Sequence, residues 1–213
     1  MHEPRDLIRE ATLADFVLAL GSSERSPGAG SASAVAAALA AALVSMAARQ
    51  SEDDQKLAAH AATQARILEA SVSSTERLIE LAGEDGVALA EMDDARGSQP
   101  GEMPGDARDA AMQTAVRHAV RVLREIMREC HSLVSEMEAL PERGNANVAK
   151  NVDVAAYIVE AAARGAAAIL IGRLDELDDP RAAGAWLNES QGRLHEIASA
   201  AARLHGRTRT SAT

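Results

Sequence analysis

Apolar positions recur at three- and four-residue steps along most of the chain, while the period-two alternation of half-buried strands is nearly absent. Leu57, Ala61, Ile67 or Leu68, Val72, Leu78, Leu81 and Leu89 form one such stripe. They predict a long helix from about Asp53 to Asp94, with Gly83 and Gly86 as weak points. Met112, Val116, Val120, Leu123, Met127 and Val134 predict a second long helix, from about Ala107 to Leu140. Ahead of these, a short helix starts near Thr12, with Thr12 as N-cap and Asp15 closing a capping box. An alanine-rich helix then runs from about Ser31 to Gln50. The chain ends with a helix from near Val152 to Leu177 and another that Pro180 opens and that continues to about Leu204. The breaks are "GSSERSPGAG", "RGSQPGEMPGD" and "PERGNANVAKN", where glycine, proline and asparagine interrupt the pattern.

The expected architecture is all-α, an elongated up-and-down bundle of about six helices with no internal repeat. Residues 1–206 read as one domain and 207–213 as a polar tail. Composition adds a constraint. Aromatics are only 1% of the 213 residues, so the core must close by bringing alanine-rich backbones near each other. The formal charge of -10 disfavours a nucleic-acid partner. A single cysteine, Cys130, excludes an internal disulfide and fits a cytoplasmic setting. The stretch "MHEPRDLIREATLADF" has no apolar core and does not read as a signal peptide. Ser31 to Ala48 carries no charge and is the one membrane candidate, but alanine and serine contribute little to insertion. It reads as a helix buried on all sides, with no membrane partner.

The sequence holds no Glu-x-x-His pair, no phosphate-binding loop and no nucleophile elbow. Cys130 and His131 point about 100° apart on a helix, which is poor for joint ligation. No metal site is therefore expected. Two polar breaks remain. Pro27-Gly28-Ala29-Gly30-Ser31 lets backbone approach a ligand at a helix N-terminus, or is simply a tight turn with Ser31 as N-cap. Asn145, Asn147, Lys150, Asn151 and Asp153 offer amides, one cation and one carboxylate, or form an Asn-rich turn capping the next helix.

Taken in order, these segments resemble the cyclodeaminase/cyclohydrolase family of folate enzymes. "PGAGSASAVAAALAAALVSMAA" is similar to the family's Pro-Gly-Gly-Gly-Ser turn and alanine helix. "AGEDGVALAEM" supplies an acidic residue, Asp85, and "RDAAMQTA" an Arg-x-x-Ala-x-Gln segment, with Cys130 midway along the fourth helix. "GNANVAKNVDVAA" resembles Gly-Asn-x-Asn followed by Ser-Asp, and "AAARGAAAILIGRLDELDD" an Ala-Ala-x-x-Gly-Ala-x-x-Asn helix. The resemblance runs from about Thr12 to His205. The chain departs from it at Ala29, at Val122, in the acidic "RQSEDDQK", in the loop "GSQPGEMPGD", which lacks lysine and arginine, and at Lys150-Asn151, where the family has Ser-Asp.

The resemblance implies a cyclodeaminase-like bundle acting on the N5/N10 bridge of a tetrahydrofolate derivative, with no covalently bound cofactor. The reaction is either formiminotetrahydrofolate cyclodeamination or methenyltetrahydrofolate cyclohydrolysis. No formiminotransferase segment is seen, which tilts the expectation toward the cyclohydrolase. Asp85, with Asp153 as a substitute for the displaced family aspartate, is the implied catalytic carboxylate. The implied binding residues are Pro27, Gly28, Gly30, Ser31, Asn145, Asn147 and Asn151, with Arg108 or Lys150 neutralising the anionic folate tail. A homodimer is implied as well. Asn151 cannot accept a proton at neutral pH, so a scaffold that binds folate or another small molecule without turnover stays open. A structural helical interaction protein is the remaining alternative.

Overall fold

A computed structural model describes residues 8–23, 26–52, 55–97, 105–140 and 146–210. Among these residues the regular elements are helices and no strand occurs. We number them α1 (Leu13–Leu20), α2 (Ala29–Glu52), α3 (Ala61–Gly97), α4 (Gly105–Ala139), α5 (Ala146–Leu174) and α6 (Pro180–Thr210), with a 3-10 segment, Gln55–His60, ahead of α3. Thr12 caps α1 as expected. Its hydroxyl accepts from the Asp15 N–H at 3.1 Å, and its own N–H donates to the Asp15 carboxylate at 3.2 Å. The Thr12 hydroxyl, donating to Asp15 Oδ2 at 2.6 Å, and then the Thr12 N–H hold the Asp15 carboxyl below its ordinary pKa.

Alanine spacing puts α2 at the centre, packed along α3 on one side and α5 on the other. Ala34, Ala37, Ala41, Val44 and Ala48 of α2 are buried, as are Ala156, Val159, Ala163 and Ala166 of α5. Small side chains let these backbones approach, and the larger Leu, Ile and Met side chains come mainly from α3 and α4. Side-chain bonds fix the directions. Ser45–Ser71 with Ser31–Asp85 sets α2 antiparallel to α3, Ser74–Glu129 with Arg66–Glu136 sets α3 antiparallel to α4, and Asp153 at the start of α5 meets His205 near the end of α6. Asn151 donates to Gln50 at 3.2 Å, so α5 also runs antiparallel to α2.

Helices α4 and α6 are parallel. Arg124–Glu189, His131–Glu196 and Glu138–Arg203 pair at seven-residue steps on both helices, a heptad ladder along their seam. Arg124 also lies over the Trp186 ring, 5.1 Å from its centroid.

Three elements differ from the sequence expectation. Gln55–His60 is a 3-10 turn, so the third long helix starts at Ala61 rather than near Asp53. Gly83 and Gly86 do not interrupt α3; both are buried, where the missing side chains admit close packing. Helix α5 begins at Ala146, six residues before Val152, which places Lys150, Asn151 and Asp153 on helical turns. The last helix likewise extends into the expected tail, to Thr210. By length and composition α5 as well as α2 reaches what a membrane crossing needs, although the sequence singled out only α2.

Candidate active site

The start of α2 faces the C-terminal part of α3, and their contact produces the one buried charged side chain among the described residues, Asp85, 3% exposed. The Ser31 N–H donates to Asp85 Oδ2 at 2.7 Å. The Ser31 hydroxyl sits 2.9 Å from the Ala82 carbonyl oxygen and 3.0 Å from Asp85 Oδ2. Gly30 makes this approach possible. A Cβ there would stand 2.5 Å from Asp85 Cγ and closer still to Oδ1, so the carboxylate occupies space that any other residue would fill. Ala29, the departure from the family turn, is exposed.

Around Asp85 lies a cleft of about 270 Å³. The turn supplies Gly28, Ala29 and Gly30, and α3 adds Leu89, Asp93 and Arg96 at helical spacing from Asp85. Ala119 and Leu123 enter from α4, and Ile169 and Arg173 from α5. Burial pushes the Asp85 carboxyl above its ordinary pKa, opposed by the Ser31 hydrogen bonds and by the charge of Arg173. A buried carboxylate with a raised pKa beside a cation can take and return a proton, which suits acid–base work on nitrogen. The volume is at the lower edge of ligand pockets, so the cleft encloses one end of a drug-sized ligand rather than all of it.

The structure brings together only part of the expected constellation. Gly28, Gly30 and Asp85 line the cleft, Ser31 holds Asp85, and Pro27 is half-buried beside them after a cis Ser26–Pro27 bond. Arg108 lies in the first turn of α4, eleven residues or about 16 Å before Ala119. Asn145 falls outside the described residues, and Asn147 is described only as helical backbone. Lys150 is exposed, and Asn151 bonds Gln50. Asp153 Oδ1 lies 2.6 Å from His205 Nδ1, and that imidazole stacks on Tyr157 with centroids 3.7 Å apart. Lys150, Asn151 and Asp153 lie in the first turns of α5, whereas the cleft uses its end. The 22 residues from Asn151 to Arg173 span about 33 Å of helix. Because α2 and α5 are antiparallel, one chain places the glycine turn and these three residues at opposite ends of the bundle.

Arg96, Asp93 and Arg173 were not foreseen. Arg173 sits four residues beyond Ile169 on one face of α5, a spacing the sequence shows, but nothing local says that this face meets Asp85.

A sequence profile described as formiminotransferase-cyclodeaminase matches residues 12–191. No curated protein matches the sequence. The crystal structure of a formiminotetrahydrofolate cyclodeaminase from Thermotoga maritima superposes with a TM-score of 0.86 at 24% identity, covering 97% of this chain and 100% of that one. At that identity the likeness speaks for the fold, while the profile spans most of the chain. With a profile match over residues 12–191, the chain belongs to the formiminotransferase-cyclodeaminase family.

Proposed function

We propose that this chain is a folate one-carbon enzyme acting on the N5/N10 bridge of a tetrahydrofolate derivative. The observation that carries the proposal is Asp85, a carboxylate buried in a cleft behind a glycine turn. In cyclodeamination, N10 adds to the carbon of the protonated 5-formimino group and the N10 proton must reach the departing nitrogen. The C–N bond to that nitrogen then breaks, ammonia leaves, and the methenyl cation keeps the positive charge. On this reading Asp85 takes the N10 proton and passes it to the leaving amine; the support is its burial in the cleft, with Oδ2 held by the Ser31 N–H. In the cyclohydrolase direction the same carboxylate would take a proton from the water that adds to the methenyl carbon. Its charge favours the amidinium in both.

Incubation with 5-formimino- and with 5,10-methenyltetrahydrofolate tests this by absorbance of the methenyl chromophore. Appearance with release of ammonia identifies a cyclodeaminase, and loss faster than in buffer a cyclohydrolase. Folate binding with neither change would leave a binding scaffold, the reading favoured by the distance of Asn151 and Asp153 from Asp85.

A homodimer in the cytoplasm belongs to the same proposal. Its support is an apolar face on α2 and α5, where Leu39 and Tyr157 are each 54% exposed beside Met46, Val154 and Ile171. These are the unburied sides of the two helices apolar enough to cross a membrane, and a second copy accounts for both without one. A twofold axis across α5 would set the first turns of α5 of one copy near the cleft of the other. Leu39→Glu is expected to convert the dimer to a monomer in light scattering while leaving helical content unchanged, since the side chain already points outward. A wild-type protein that is monomeric at micromolar concentration would remove this reading.

A further inference from the structure

We propose that Arg96 and Arg173 form a clamp for a ligand carboxylate, and that Glu176 fills the clamp until such a ligand displaces it. The two arginines reach the cleft from different helices, α3 and α5, and both line it together with Asp85. Glu176 gives one oxygen to each. Arg173 Nη1 donates to Oε1 at 2.8 Å and Arg96 Nη2 to Oε2 at 3.2 Å. Two guanidinium groups converging on the two oxygens of one carboxylate is an arrangement suited to recognising carboxylates.

The position of Glu176 allows exchange. Its backbone is pinned in the turn after α5, with its N–H donating to the Arg173 carbonyl at 3.2 Å. Its own carbonyl accepts from Gln113 Nε2 at 3.0 Å, and the Asp178 N–H donates to Gln113 Oε1 at 3.0 Å. The turn therefore stays in place whichever way the side chain points. The Glu176 side chain is 35% exposed, while Arg173 is only 19% exposed. The carboxylate can swing to water while Arg173 stays enclosed and Arg96, 41% exposed, keeps its pairing with Asp93 at 3.7 Å. Charge balance points the same way. Asp85 and Asp93 match Arg96 and Arg173 in the cleft lining, so Glu176 is a third anion that an incoming carboxylate replaces one for one.

On the folate reading above, on which this inference rests for the ligand's identity, the clamped group is a carboxylate of the glutamate portion. The clamp itself requires only a carboxylate.

The test measures binding of three probes by calorimetry to the full chain, Glu176→Gln and Arg96→Met, with Glu176→Ala as a second release variant. The probes are 5-formyltetrahydrofolate, the corresponding tetrahydropteroate as its primary amide, which carries no carboxylate, and 4-aminobenzoylglutamate. Releasing the clamp is expected to tighten the two glutamate-bearing probes by about three- to tenfold and to leave the pteroate unchanged. Arg96→Met is expected to weaken the same two probes by about fivefold or more. If both Glu176 variants bind the glutamate-bearing probes no tighter than the wild type, the inference is overturned and Glu176 is a structural bridge. If 4-aminobenzoylglutamate responds but no pterin-containing probe binds, the clamp stands and the folate reading fails. If folate and pteroate bind equally in every variant, the folate reading stands and the clamp fails.

Discussion

Asp85→Asn is expected to lower turnover by about 10²–10⁴-fold, the range for loss of a general acid–base group, and to raise stability at neutral pH. The same burial accounts for both effects. Burial lifts the Asp85 pKa in the folded protein above its value in the unfolded chain. The folded state therefore holds the proton to higher pH than the unfolded state, and stability falls as pH rises from the unfolded pKa through the folded one. Above that window the native protein carries a buried charge that the amide lacks. Each kcal/mol recovered by the amide raises Tm by about 2–4 °C in a chain of this size. The stability gain of Asp85→Asn should shrink as pH falls toward the unfolded carboxyl range, where both states of the wild type are protonated. Thermal melts of the two proteins between acid and neutral pH measure this directly. A variant that keeps full turnover would show that Asp85 is not the proton carrier, and a gain that grows in acid would show that its pKa is depressed.

Gly30→Ala should abolish activity to a similar degree but destabilise, by about 1–3 kcal/mol, the usual cost of inserting a methyl into a packed site. The added Cβ lands on the Asp85 carboxyl, which has to turn away and give up the Ser31 N–H. The two residues share one volume, so their effects must be non-additive. In an Asp85→Ala background the space is vacant, and Gly30→Ala should there cost little stability. Urea unfolding of the four proteins completes the cycle, and an undiminished penalty in the double variant would place the strain elsewhere.

Much of the fold was legible in the sequence because long helices repeat their apolar stripes many times. The capping box at Thr12 and the proline at the start of α6 were legible for local reasons of the same kind. The start of α5 was misplaced because asparagine and glycine favour turns, and the pairing that holds Asn151 on a helix reaches Gln50, 101 residues away. The glycine turn and Asp85 were identified by resemblance, and the structure shows why they go together: Gly30 leaves the room that the carboxyl fills. Arg96, Arg173 and Glu176 escaped notice because arginine and glutamate on exposed helix faces are common. Only the packing of α3 and α5 on either side of α2 makes these three converge. Distance along a helix was the other hidden quantity. Lys150 and Asn151 follow soon after α4, yet the antiparallel layout carries them to the far end of α5 from Asp85.

The seam between α4 and α6 has a consequence for how the molecule comes apart. Its three rungs join residues a constant 65 positions apart, so none can form until α5 has folded back between them. Neighbouring helices in the chain meet earlier, across short connections. The ladder is thus a late closure, and weakening a rung, as in Arg124→Ala, should speed unfolding while leaving the folding rate nearly unchanged. Each rung contributes little at equilibrium. Together they act on the lifetime of the folded bundle, and so on how long its cleft stays assembled.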